Sequence, residues 1–208
     1  MNRKFIKNSN VVLSEILHSK DNLDILKDFI QTFLKIKINK ISINESPIIK
    51  GKKTKEYGIV DVRVITKNNE ELNIGIQIID GDYIQNKMLL YYAKIHSNQL
   101  FYDDNRKIAK TVTINILDIP YFDSNSYHKI IKIKTNVLND SILETIELHV
   151  LELSKCLKDK KEKISNEEAW IIYLRETAEE DLDIARKKNA NIRKLDELLK
   201  KYWEKEII

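Results

Sequence analysis

Two runs constrain the fold of this chain more than any other feature: Tyr57-Gly-Ile-Val-Asp-Val-Arg-Val-Ile-Thr66 and Leu72-Asn-Ile-Gly-Ile-Gln-Ile-Ile79. Both are rich in β-branched residues, and the polar segment Lys67-Asn68-Asn69-Glu70 between them has hairpin character. On strand parity Leu72, Ile74, Ile76 and Ile78 share one face, while Asn73, Gly75 and Gln77 share the other. Pairing of the two strands brings Asp61 beside Gly75 and Gln77. An Asp is disfavoured within a strand, so it reads either as a solvated edge residue of an ordinary amphipathic hairpin or as a functional acid.

The rest of the chain places this hairpin in a mixed α/β fold. Leu23, Leu26, Phe29, Ile30, Phe33 and Leu34 recur at helical spacing, with Asp21 or Asn22 as the cap, and a shorter helix is expected over Val11 to Leu17. After the hairpin, Ile84 to Leu100 reads as a helix through Met88, Leu89, Tyr92 and Ile95. Thr111 to Leu117 alternates as a strand closed by Pro120, and two more strands are expected near His128–Lys134 and Ile142–Leu153. This order predicts a mixed sheet with helices against it. Beyond it, Ser165 and Glu168 form a capping box before Ala169 to Leu174, and Ile192, Leu195, Leu198, Leu199, Tyr202 and Trp203 repeat at helical spacing. The stripes carrying Trp170 and Trp203 can close the core, pack on each other, or form a homodimer surface.

Composition sets the bounds. A chain of 208 residues with 4 Gly and 2 Pro is neither low-complexity nor loop-dominated. The single Cys156 excludes an internal disulfide and a cysteine-based zinc site. No apolar run approaches the roughly 18 residues of a membrane span, and no signal-peptide core is evident, so a cytoplasmic location is expected. Charge is uneven: residues 1–55 hold 12 Lys/Arg against 5 Asp/Glu, whereas residues 56–154 hold 10 against 14. A basic N-terminal third beside an acidic centre suits phosphate attraction near a metal site, although lysines also decorate solvated helix faces.

The hairpin resembles the active hairpin of the PD-(D/E)XK nuclease superfamily, in which an Asp on one strand and an acid-x-Lys on the next bind Mg²⁺. It is similar to the version in the recombination-promoting nuclease and transposase-associated family, which reads Asp…Glu-x-Gln. Further pieces occur in the family's order: Lys87, Tyr91-Tyr92, Lys94 and Gln99-Leu100, then Ile114 to Ile119, then Glu152-Leu-Ser-Lys155 ahead of the Trp-containing tail. The resemblance implies a restriction-endonuclease-like α/β domain over residues 1–155, a mixed sheet flanked by helices, and a C-terminal helical extension over 156–208. It also implies a DNA partner and Mg²⁺-dependent phosphodiester hydrolysis in DNA recombination. Asp61 would be the principal metal ligand, the Ile76 carbonyl a second, and Gln77 the group that positions water or phosphate. Lys52, Lys53, Lys55, Lys87 and Lys94 bracket the hairpin and are expected to contact phosphates.

The chain departs from the family where chemistry is decided. The Glu position holds Gly75, the opening Asp-x-x-Phe-Lys pattern is replaced by Asn10-Val-Val-Leu-Ser14, and the Gly-x-x-Tyr after Gln99-Leu100 is absent. Mg²⁺ wants oxygen ligands, commonly one or two of them carboxylates, and Gln77 brings no charge. Glu71 lies four residues from Gly75, roughly 13 Å along a strand, too far to replace the lost acid. Glu15, on the first helix, is the best candidate to do so. Two readings follow: a divergent, metal-dependent DNA endonuclease, or a non-catalytic nucleic-acid- or protein-binding module with the same fold. On the first, Gly75→Glu is expected to set a carboxylate beside Asp61 and to create or raise metal-dependent cleavage; no cleavage in that variant would favour the second.

Overall fold

The structure is a computed structural model that describes Leu13 and residues 16–44, 60–101, 108–132, 146–156, 163–175 and 178–206. In chain order these form α1 (Leu23–Leu34), β1 (Ile38–Ile43), β2 (Val60–Thr66), β3 (Glu71–Ile79), α2 (Ile84–Asn98), β4 (Lys110–Leu117), β5 (His128–Lys132), β6 (Ile146–Glu152), α3 (Asn166–Leu174), α4 (Glu179–Lys188) and α5 (Ala190–Glu206). Short 3₁₀ turns precede α1 and follow α2 and β6. Leu13 and residues 16–18 are helical, within the segment expected to hold the first helix.

The six strands make one mixed sheet in the order β1-β2-β3-β4-β6-β5. β3, β4 and β6 run parallel at its centre, and β1, β2 and β5 are joined antiparallel. The β2–β3 hairpin closes as its residues require: Asn69 takes a positive φ of 60°, and the Thr66 hydroxyl accepts from the Glu70 N–H at 3.1 Å. Asn tolerates that conformation better than most residues. Because β3 and β4 are parallel, their connection must cross a face of the sheet, and α2 is that crossover.

The two faces differ sharply in chemistry. One carries Val62, Val64, Ile74, Ile76, Val112, Ile114 and Ile116, which form a single buried cluster with Phe29 of α1, Trp170 of α3 and Leu195 of α5. Trp170 is 1 % exposed, meets Phe29 edge-on at 5.2 Å, and donates its indole N–H to Asp28 at 2.9 Å. That stripe is therefore spent inside the molecule. The other face carries Asp61, Asn73, Gly75, Gln77, Thr111, Thr113 and Asn115, and α2 lies over it with Tyr91 and Ile95. Towards the C-terminal ends of the parallel strands this second face turns apolar, through Ile79, Ile84, Met88, Leu117 and Val150.

Local caps match the residues in part. The Ser165–Glu168 capping box is formed, with Ser165 Oγ accepting from the Glu168 N–H at 3.1 Å and the carboxylate returning to the Ser165 N–H at 2.6 Å. Asn22 does sit at the N-cap of α1, but its side chain makes no cap bond. Its amide Nδ2 donates instead to the Ile16 carbonyl at 3.1 Å.

Candidate functional site

The register pairs Asp61 on β2 directly with Gly75 on β3, so both point to the α2 face, as does Gln77 two residues on. They do not line an open cleft. Asp61 is 5 % exposed and Gln77 7 %, beneath α2. Asp61 Oδ1 accepts from the Asn44 side-chain amide at 3.0 Å, and the same amide reaches Asn73 Oδ1 at 2.9 Å. Asn73 in turn donates to the Ile95 carbonyl of α2 at 3.2 Å. Burial pushes the Asp61 carboxyl up to about 6, and the Asn44 hydrogen bond pulls against that rise without cancelling it.

The neighbouring positions complete a hydrogen-bonded layer of neutral groups. Gln77 donates to Asn115 at 2.6 Å, and Asn115 donates to Thr113 Oγ1 at 3.1 Å and to the His149 carbonyl at 3.0 Å. Gln77 is thus held inside the sheet layer. The Tyr91 hydroxyl lies 3.2 Å from the Val60 carbonyl and 3.3 Å from the Ile76 carbonyl. Burial, and then the charge of Asp61, raise the Tyr91 phenol well above its ordinary value, so it remains a donor.

Gly75 sits under the closest approach of α2. A Cβ there would lie 2.0 Å from Ile95 Cδ1 and 2.9 Å from the Tyr91 hydroxyl oxygen. A side chain at position 75 requires Ile95 Cδ1 and the Tyr91 hydroxyl, the far ends of two side chains, to shift. Gly75→Glu therefore has to displace both side-chain ends before its carboxylate can stand beside Asp61.

The other sequence-derived residues fall in three groups. Glu15, Lys52, Lys53 and Lys55 lie outside the described residues. Lys87 and Lys94 are on the exposed side of α2, and Lys87 Nζ donates to the Asp80 carbonyl at 2.6 Å. Glu152 is fully buried; it accepts from the backbone N–H groups of Tyr121 and Phe122 and pairs with Lys155 at 2.8 Å, anchoring the loop that follows β4. Asn44, Ile95 and Asn115 join the site although none is a candidate site residue in the sequence. The parity of Asn73 and of Thr111, Thr113 and Asn115, and the four-residue spacing of Tyr91 and Ile95, hint at this layer.

A family model for the PD-(D/E)XK nuclease family transposases matches residues 12–206. This chain belongs to the PD-(D/E)XK nuclease family transposases. No curated protein and no solved structure matched it. PD-(D/E)XK nucleases generally use divalent metals, which sets a clear demand on the site. In this PD-(D/E)XK family member Asp61 supplies the one carboxylate of its register pair, the partner position is the crowded Gly75, and a phenol engages the Ile76 carbonyl. Among the described residues no group of three or more His, Cys, Asp or Glu side chains is placed to hold an ion. A divalent ion needs several oxygen ligands and compensating negative charge, which the described residues around Asp61 do not supply. Among the described residues no helix is long and apolar enough to cross a membrane.

Proposed function

We propose that this protein is a non-catalytic member of its family, a nuclease-fold module that binds DNA without cutting it. The observation that carries this reading is the packing of Ile95 and Tyr91 into the space a second carboxylate would need at position 75. Metal-assisted hydrolysis relies on the ion to generate the nucleophile and to neutralise charge developing at phosphorus. A lone buried Asp61, bonded to an amide, supplies neither a coordination shell nor a base exposed to solvent.

DNA remains the partner because the family is a nuclease family and because the basic residues persist. Lys94 on the outer side of α2 and Lys52, Lys53 and Lys55, ahead of β2 in the sequence, are the phosphate contacts this reading uses; Lys87, bonded to the Asp80 carbonyl, is not among them. Asp80, Asp82, Asp118 and Asp123, on the segments leaving the C-terminal ends of β3 and β4, repel phosphate and keep the duplex off those loops. Binding of this kind rests on counterion release and is insensitive to sequence.

The test combines cleavage and binding. Incubated with supercoiled plasmid and Mg²⁺ or Mn²⁺, the chain is expected to nick no faster than its Asp61→Ala variant. Its affinity for a short duplex should fall steeply with salt. Changing Lys52, Lys53 and Lys55 together to Ala should flatten that dependence by about one power of salt for each phosphate left without its lysine. Cleavage that disappears in Asp61→Ala overturns the reading and points to another acid, Glu15 first. Affinity unchanged by the triple lysine variant at low salt removes the basic segment from the interface.

A further inference from the structure

We propose that the Tyr91 hydroxyl and the Asn44 carboxamide take the place of the family's divalent cation, turning the centre into a hydrogen-bonded joint that fastens α2 onto the β2–β3 hairpin. This rests on the reading that the chain does not cut DNA, and it adds what the rebuilt site does instead. Each position where the family resemblance puts a metal ligand is occupied by a different device. The Asp61 carboxylate accepts from Asn44 at 3.0 Å, the Ile76 carbonyl faces the Tyr91 hydroxyl at 3.3 Å, and the volume over Gly75 holds Ile95 Cδ1.

The three devices are geometrically one. Asp61 and Gly75 are register partners, and the Tyr91 oxygen lies 2.9 Å from where a Gly75 Cβ would stand. The hydroxyl therefore sits at the mouth of the Asp61–Gly75 pair and bridges the Val60 and Ile76 carbonyls, one from each strand. A hydroxyl has a single proton to share between two acceptors, so it serves as a hydrogen-bond bridge and supplies no positive charge. On the other side, the Asn44 amide joins Asp61 to Asn73, and Asn73 reaches the Ile95 carbonyl of α2.

The result is a closed circuit from the end of β1 through β2 and β3 to α2 and back. Its members are polar and hydrogen-bonded to one another, Asn44 half-buried and Asp61, Asn73 and Tyr91 buried, and such linked networks rigidify a fold. Because α2 carries Lys87 and Lys94 on its exposed side, the joint holds those lysines at a fixed position relative to the sheet. A cation would have tied the hairpin together by charge. Here the same elements are tied by a phenol and two amides, and Gly75 is required because the helix must come close.

Manganese binding to the full chain, followed by electron paramagnetic resonance, tests the proposal. The unaltered chain and Gly75→Glu should bind Mn²⁺ no more tightly than Asp61→Asn does. Gly75→Glu combined with Tyr91→Phe and Ile95→Ala should clear the space and bind at least tenfold more tightly, and adding Asp61→Asn should abolish that gain. Tight Mn²⁺ binding by the unaltered chain that Asp61→Asn removes overturns the proposal, as does Gly75→Glu alone matching the triple variant. A second measurement does not depend on that variant folding: Tyr91→Phe should speed amide exchange in α2 and β3 while leaving α5 unchanged, and unchanged exchange in α2 overturns the joint. A chain that fails to bind DNA defeats the preceding reading and leaves these outcomes as stated. Tight Mn²⁺ binding at Asp61 without cleavage defeats the joint alone.

Discussion

Burial pushes the Asp61 carboxyl up to about 6 while the Asn44 amide opposes the rise, so the folded chain holds this proton to higher pH than the unfolded chain does. A carboxyl raised above its unfolded value contributes stability below that unfolded value, near 4, and the contribution is lost as pH rises through about 6. The size of the shift corresponds to about 3 kcal/mol at most. Asp61→Asn keeps an acceptor for Asn44 and removes the ionisation. The variant is expected to unfold at a higher urea concentration than the unaltered chain above pH 7 and to lose most of that advantage by pH 4. An advantage equal at both pH values would mean that Asp61 is not held in the buried state described. His128 works in the opposite sense: burial, then His149, bring it down to about 4, so its contribution is present above about 6.5 and fades as pH falls. Comparing the two chains at each pH cancels that second effect.

At the level of elements, hydrogen bonds decide how each end is held. The Ser165–Glu168 box starts α3 with both of its reciprocal bonds made. Ser165→Ala should cost about 1 kcal/mol in denaturant unfolding, the usual cost of losing a side-chain cap. No measurable loss would mean that packing of Trp170 alone fixes the start of the helix. The β5–β6 edge is held by a different device. His149 bonds to Glu147, which hydrogen bonds from His149 and then from Lys110 and Lys132 keep well below the usual carboxylate range. The Glu-Leu-x-Lys element is a third: Glu152 and Lys155 pin the loop after β4 from below, a structural use of residues that in the sequence serve only as a family marker.

For the molecule as a whole, the apolar sheet face and the C-terminal helices form one core. Ile76 and Ile114 of the sheet share a buried cluster with Trp170, Leu195 and Leu199. A second tie is polar, since Asp28 of α1 accepts from both the Trp170 indole at 2.9 Å and the Asn189 amide at 2.7 Å. A chain ended after Lys155 would leave that face open and Asp28 without either donor. It is expected to show no cooperative thermal transition and to associate through exposed apolar surface. A sharp two-state transition in the shortened chain would show that residues 1–155 fold without the extension.

Much of the architecture could be read from the amino-acid order because it is local. Period-two alternation, an Asn-rich turn, helical spacing and a capping box each act over a few residues, and the order of elements then implied a mixed sheet with helices against it. Even the two faces of β3 followed from parity, since side chains alternate whatever lies beyond. The site was less legible. Asn44 reaches Asp61 across 17 positions, and Gln77 meets Asn115 across 38. No local pattern encodes such pairs. Position 75 shows the limit most plainly: the sequence revealed a missing acid, and a single substitution looked sufficient to restore it. Only the packing of α2 against the sheet decided that Ile95 and Tyr91 fill the space, because close packing depends on how elements far apart in the chain meet.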